Sequence, residues 1–226
     1  MDTLYNPAKG WEYDKHPHYP TVNESCSQII SELINDTEKQ YEIILDTRES
    51  HRDIFCNVTP VDCNYFAGNY RGSCYKFLEN YSVKIAGYDG CSPQDVHEAM
   101  IDFSKNITPK FEVLCDYIRD HEAVSQEKKL VVFCRFLSIV FVQFLAIHPY
   151  ANGNGHIGRL IVWIFLKKLG FSQDFWSVND RPGEPRGVPL DRCIRLFRQD
   201  KKEYLIKYFL QGIKTGMPVT QENFKP

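Results

Sequence analysis

The chain has 226 residues, of which 43% are hydrophobic, 14% aromatic and 25% charged. That balance describes a folded globular protein and excludes disordered, collagen-like and coiled-coil chains. With 27 basic against 29 acidic residues the formal net charge is −2, which offers no basic field to hold nucleic acid, so nucleic acid is not an expected partner.

The length suits one sizeable core. No repeat or shift in composition marks a boundary after residue 20, so the expected organisation is an arm over 1–20 and a single domain over 21–226. The opening stretch, "MDTLYNPAKGWEYDKHPHYP", has no basic segment followed by an apolar one, as a secretory signal would. A cytoplasmic location is therefore expected, with export as an effector left open. Its Pro, Tyr and His content reads as an extended arm, either packed on the surface or loose. Eight cysteines without a Cys-x-x-Cys pair read as buried free thiols rather than disulfides or a zinc site. Asn23, Asn35, Asn57, Asn80 and Asn106 lie in Asn-x-Ser/Thr sequons, which matter only if the chain meets a glycosylation machinery.

From Ser25 to about Arg52, apolar residues at Ile29, Ile30, Leu33, Ile34, Tyr41, Ile44 and Leu45 recur at steps of three and four, the period of a helix. A turn-rich zone follows, with the run "GNYRGSCYKFLENYSVKIAGYDG". Within it "YSVKI" alternates apolar and polar residues between glycines, which predicts a short hairpin. Ser92-Pro93 then reads as the N-cap and first turn of a helix whose stripe is Val96, Met100 and Phe103. Pro109 is expected to open another, with Phe111, Leu114, Cys115 and Ile118. Leu130 to Ile147 is almost wholly apolar and approaches the length of a membrane span. Arg135 within it costs roughly 2.5–3.5 kcal/mol on insertion scales, so a buried central helix is expected and no membrane span. A second apolar helix, Ile157 to Leu169, stops at Gly170. After the loop "NDRPGEPRGVP" two helices close the chain. The fold class is all-α with one short β-hairpin.

Between the two apolar helices lies "AIHPYANGNGHIGRL", Ala146 to Leu160. A helix N-terminus offers unpaired N–H groups and a positive dipole end, and glycines let an anion approach them. Arg159 is four residues from Gly155 and can fork onto a second phosphate. His148 ends the preceding helix, and imidazole is a side-chain type suited to a general base. A base beside a phosphate cradle suggests phosphoryl or nucleotidyl transfer. The run lacks the Walker pattern, and His148 and His156 have no usual zinc spacing, so the residues by themselves reach only an anion site. The plain alternative is a loop that merely caps two helices.

The run His148-Pro149-Tyr150-Ala151-Asn152-Gly153-Asn154-Gly155-His156-Ile157-Gly158-Arg159 resembles the signature of the Fic (Fido) family, His-Pro-Phe-x-Asp/Glu-Gly-Asn-Gly-Arg-x-x-Arg. The likeness extends from about Cys56 to Ile213 and takes in "GNYRGSCYKFLENYSVKIAGYDGCSPQDVHEAM", which resembles that family's arginine-containing flap hairpin and the helix after it. The resemblance implies a Fic-type helical core that moves AMP, or another nucleotide-derived phosphate group, from a nucleotide such as ATP to a Ser, Thr or Tyr hydroxyl of a target protein. His148 matches the general base, Gly153, Asn154 and Gly155 the anion hole, and Arg159 the arginine that holds the outer phosphates. Tyr81, Ser82, Val83, Lys84 and Ile85 match the flap that captures the target by strand addition. The implied partners are therefore a nucleotide and a protein target on the flap, with a homodimer left open.

Three positions depart from the signature. Tyr150 replaces Phe and must satisfy a hydroxyl. Asn152 stands where an acidic residue would bind Mg²⁺ or Mn²⁺, and an amide is a weaker ligand for a hard cation. His156, at a phosphate-binding position, replaces an arginine and loses its permanent fork. An alternative reading follows from the last two: a nucleotide-binding Fic-fold module with weak or lost catalysis that acts as an interaction protein. No inhibitory Ser/Thr-x-x-x-Glu-Gly/Asn motif is found, the nearest stretches being Glu222-Asn223 and Glu79-Asn80.

Overall fold

A computed structural model describes residues 10–85, 87–120, 123–180 and 189–216. The remainder, which includes 1–9 of the arm, 181–188 of the Pro/Gly-rich loop and the Glu222-Asn223 stretch, lies outside the described residues. Eight α-helices and one two-stranded antiparallel sheet make up the regular structure of the described residues. Contacts divide the chain into two compact units, residues 1–104 with 144–158 and residues 105–143 with 159–226. Each unit is assembled from two separated segments of the chain.

The first unit begins with the arm, and its described part is not loose. Trp11 is only 3% exposed, its indole Nε1–H donates to the Val58 carbonyl at 2.9 Å, and its ring meets Phe55 and Phe66 edge-on. The single helix expected over Ser25–Arg52 is instead three: α1 (Pro20–Leu33), α2 (Thr37–Leu45) and α3 (Arg48–Phe55). Local hydrogen bonding overrides the apolar period at both breaks. Asp36 caps α2 by accepting from the Lys39 N–H at 2.9 Å, and the extended Asp46 accepts from the Arg48 N–H and guanidinium. Val22, Cys26, Ile29 and Leu33 form the buried stripe of α1.

The expected hairpin is present. Its strands β1 (Lys84–Ile85) and β2 (Tyr88–Asp89) pair Lys84 with Asp89 and Ile85 with Tyr88, and the Gly90 N–H closes it on the Val83 carbonyl at 3.0 Å. Beyond it, Ser92 does not cap a helix directly. Its hydroxyl bonds the Gln94 side chain, a short 3₁₀ turn covers Pro93–Asp95, and α4 starts at Val96.

Helix α4 (Val96–Asp120) runs straight through Pro109, where two helices are expected. Proline deletes one N–H donor, but the apolar stripe continues across it from Ile107 to Leu114, both buried, and side-chain burial outweighs the lost bond. In the second unit Phe111 of α4 packs against Phe136 and Phe165. Helix α5 (Gln126–Ile147) contributes Leu130, Phe133, Cys134, Leu137 and Val140 to the core. It is not buried all round, since Val132, Arg135, Ile139 and Gln143 are exposed along one face. By length and composition it could cross a membrane, and half of its most apolar stretch is buried in the protein.

Helix α6 (Asn154–Lys168) ends as expected on Gly170, with φ at 72° and the Phe171 N–H closing on the Leu166 carbonyl. Helices α7 (Leu190–Arg198) and α8 (Glu203–Gly216) complete the second unit. All eight thiols are free; four are buried, whereas Cys56 and Cys74 are exposed. Burial of every cysteine was the expectation, and half of them depart from it.

Candidate active-site loop

The loop 148–153 joins α5 to α6. His148 caps α5 through its own N–H, which donates to the Phe144 carbonyl at 3.0 Å, and its φ of 52° lies in the left-handed region. A non-glycine residue held there costs of order 1–3 kcal/mol unless its surroundings over-determine it. Arg71 does so. Its Nε donates to the His148 carbonyl at 2.7 Å, and its two terminal nitrogens donate to the carbonyls of Tyr81, Cys91 and Ile147. The Arg71 N–H also donates to the Pro149 carbonyl at 2.8 Å. The side chain is 1% exposed, and burial lowers its pKa below the ordinary arginine value. One guanidinium thus ties His148 to the entrance of the flap at Tyr81.

Helix α3 holds the other side of the loop. The Tyr150 hydroxyl, which the signature's Phe lacks, meets Thr47 Oγ1 at 2.6 Å, and burial raises its phenol well above the ordinary range. Tyr150 also stacks on His51, with centroids 3.7 Å apart and 9° between planes. The Gly68 N–H donates to His51 Nδ1 at 2.9 Å, so the proton sits on Nε2, which donates to the Asn152 carbonyl at 3.0 Å. Burial pushes the His51 pKa down to about 3, against the smaller opposing effect of the Asn152 bond.

At the start of α6, Gly153 has φ at 77°. A Cβ there would lie 2.4 Å from Phe55 Cε2 and 3.0 Å from His51 Nε2, so both its conformation and its neighbours demand glycine. The Gly153 carbonyl accepts the first helical bonds, from His156 and Ile157. The leading N–H groups of α6, those of Asn154 and Gly155, have no acceptor within the helix, and no carboxylate occupies its first turn. This end of α6 is a positive dipole terminus, and Gly155 keeps partial exposure there. Chemically the loop can accept a proton at His148 and an anion at the helix end.

A model of the Fic/DOC family matches residues 41–166, more than half of the chain. The chain belongs to the Fic/DOC family. That family is known for transferring nucleotide phosphate groups. Among solved structures, the chain is similar to a Fic domain-containing signaling protein from Bacteroides thetaiotaomicron, at 18% identity and a TM-score of 0.45 over 88% of this chain and 71% of that one. No curated protein matches it.

Within this Fic/DOC chain the signature residues differ in what their side chains do. Asn154 is 1% exposed and its side chain bonds the Tyr150 backbone twice, Oδ1 accepting from the N–H and Nδ2 donating to the carbonyl. Asn152 is engaged at both ends of its amide: Nδ2 donates to the Trp11 carbonyl and Oδ1 accepts from the Gly153 N–H. His156 is 6% exposed, with Nδ1 3.3 Å from the Tyr13 hydroxyl and its ring edge-on to Tyr13 and Phe55. Of the three variant positions, Asn152 and His156 bond residues of the N-terminal arm.

Arg159 lies further along α6, in the second unit. There its Nε and Nη2 donate to the Val178 carbonyl at 3.1 and 3.0 Å, and Trp176 Nε1–H donates back to the Arg159 carbonyl. Of the flap residues, Ser82 and Lys84 are exposed, Val83 and Ile85 half-buried. Tyr81 gives its carbonyl to Arg71 and takes the Trp11 N–H on its hydroxyl at 3.0 Å.

Trp11, Tyr13, Thr47, His51 and Arg71 shape this loop and were not singled out by residue pattern. Arg71 left a visible trace, a lone cation between Gly68 and Gly72 in an apolar stretch. His51 left none, because a histidine in a helical segment has no periodic signature.

Proposed function

We propose that this Fic/DOC protein transfers AMP, or another phosphate-bearing part of a nucleotide, to a Ser, Thr or Tyr hydroxyl of a protein target lying along the flap Tyr81–Ile85. The observation that carries the reading is His148, its backbone locked by Arg71, at one end of a loop whose other end is the N-terminus of α6. In the reaction with ATP the hydroxyl proton passes to the His148 imidazole and the oxygen forms a bond to the α-phosphorus. The bond to the bridging oxygen breaks, and pyrophosphate leaves. The N–H groups of Asn154 and Gly155 stabilise charge on the transferred phosphate. Such transfer depends on positioning and charge neutralisation more than on covalent chemistry.

A resident divalent cation does not fit the residues present. Asn152 spends its amide oxygen on the Gly153 N–H, and no group of three or more His, Cys, Asp or Glu is placed to hold a metal among the described residues. Mg²⁺ or Mn²⁺ would enter with the nucleotide as part of the substrate. A second reading, a module that binds nucleotide without turnover, is favoured by the contacts that Asn152 and His156 make with Trp11 and Tyr13 of the arm.

The two are separated by incubating the protein with cell lysate and ATP, UTP or CDP-choline, with Mg²⁺ or Mn²⁺, and searching for adducts by mass spectrometry. Adducts that disappear with His148→Ala are expected. Nucleotide binding without adducts for any donor, or adducts that persist in the variant, would reject transfer in favour of the binding module.

A further inference from the structure

Helices α1, α2 and α3 border an open cavity of about 290 Å³ lined by Ile29, Lys39, Glu42, Ile43, Asp46, Glu49, Ser50 and Asp53. It is separate in residues from the candidate active-site loop, although α3 serves both. Thr47, His51 and Phe55 face the loop, whereas Glu49, Ser50 and Asp53 face the cavity. Four carboxylates meet one ammonium group there. Asp46 is paired with Arg48, and Lys39 reaches outward to Glu32, so the acidic excess falls on Glu42, Glu49 and Asp53. Burial, and after it the neighbouring Glu49, hold the Asp53 carboxyl above its ordinary pKa against the opposing pull of Lys39 and Arg52.

An acidic wall alone would be ordinary surface. The floor differs: Ser50 is 4% exposed, and its hydroxyl lines the cavity with no hydrogen bond to any described residue. A buried hydroxyl is ordinarily satisfied, often by the carbonyl one turn back. This one is left facing the cavity as an acceptor for a donor that comes from outside.

The shape of the charge distribution indicates the ligand. The carboxylates do not converge on a point, and no metal cage exists among the described residues. Glu49 and Asp53 stand one helical turn apart, roughly 5–6 Å between Cβ atoms, the length of a propylene or butylene spacer between two ammonium groups. The volume lies at the small end of ligand sites, and Ile29 and Ile43 offer apolar wall to methylenes. We propose that this cavity binds a linear aliphatic polyamine, with ammonium groups on Glu49, Asp53 and Glu42, one N–H donated to Ser50 Oγ, and the spacer along the two isoleucines. Lys39 is the internal cation that competes with it.

Isothermal titration of the full chain with spermidine at low ionic strength tests the assignment. One saturable site is expected, weakened at least tenfold by Glu49→Gln and by Asp53→Asn and about threefold by Ser50→Ala, and tightened by Lys39→Met. Glu98→Gln, on α4, should change nothing. Mg²⁺ at equal charge should fail to displace spermidine beyond its effect on ionic strength. Absence of saturable binding, indifference to the cavity variants, an equal effect of Glu98→Gln, or full displacement by Mg²⁺ would each overturn the proposal. Because Ser50→Ala places a good helix former on α3 and the acidic positions are exposed, loss of fold is not the expected cause of any change, and circular dichroism of each variant checks that.

Discussion

The imidazole of His51 donates to the carbonyl of Asn152 across 101 residues of sequence, and the same ring lies flat on Tyr150. One buried neutral histidine thereby sets the backbone of the loop that leads through Gly153 into α6. The contact requires neutrality, since Nδ1 must accept from the Gly68 N–H while Nε2 donates.

That neutrality makes stability depend on pH. In the unfolded chain the imidazole titrates near 6.5; in the folded protein burial holds it at about 3. Between those values the unfolded state binds more protons, so stability rises with pH. The contribution is fully present above about 6.5 and is lost as pH falls toward 3, at up to about 1.4 kcal/mol per pH unit. Urea unfolding of wild type and His51→Gln from pH 7 to 4 should show the two curves converging as pH falls; parallel curves would refute the account.

Gly153→Ala should be among the costlier single-methyl additions in the chain. A side chain at φ 77° is strained, and its Cβ overlaps Phe55. Left-handed strain and overpacking together cost about 2–5 kcal/mol. A midpoint within error of wild type would show that the loop relaxes freely.

Asn152→Asp brings back the acidic residue of the family signature but removes the donor to the Trp11 carbonyl and sets a carboxylate against it. The arm should loosen at a cost of about 1–3 kcal/mol, read as faster amide exchange over residues 10–15 and a red-shifted tryptophan emission. Unchanged exchange would mean that the arm is held by Trp11 packing alone.

Arg71→Lys keeps the charge and loses the geometry. A single ammonium cannot serve the carbonyls of Ile147, His148, Tyr81 and Cys91 together, so several buried acceptors lose their donor. Destabilisation of about 3 kcal/mol is expected, with transfer activity falling along with it as His148 loses its anchor. Lysine at wild-type stability would place the role of Arg71 in charge alone.

Local chemistry written in neighbouring residues was legible from the chain itself. The apolar periods of α1, α5 and α6, the hairpin, the Gly170 stop and the signature from His148 to Arg159 each depend on residues within a few turns of one another. The failures have the same origin. The breaks at Asp36 and Asp46, and the passage of α4 through Pro109, turn on whether a local hydrogen bond or distant burial wins, and periodicity does not weigh the two. Only the tertiary structure decided what surrounds the signature. Trp11 and Tyr13 reach Asn152 and His156 from more than 140 positions away, and His51 and Arg71 brace the loop from 101 and 77. Such pairings arise because a buried carbonyl or amide must find a partner wherever the chain brings one, and sequence spacing carries no record of where that is.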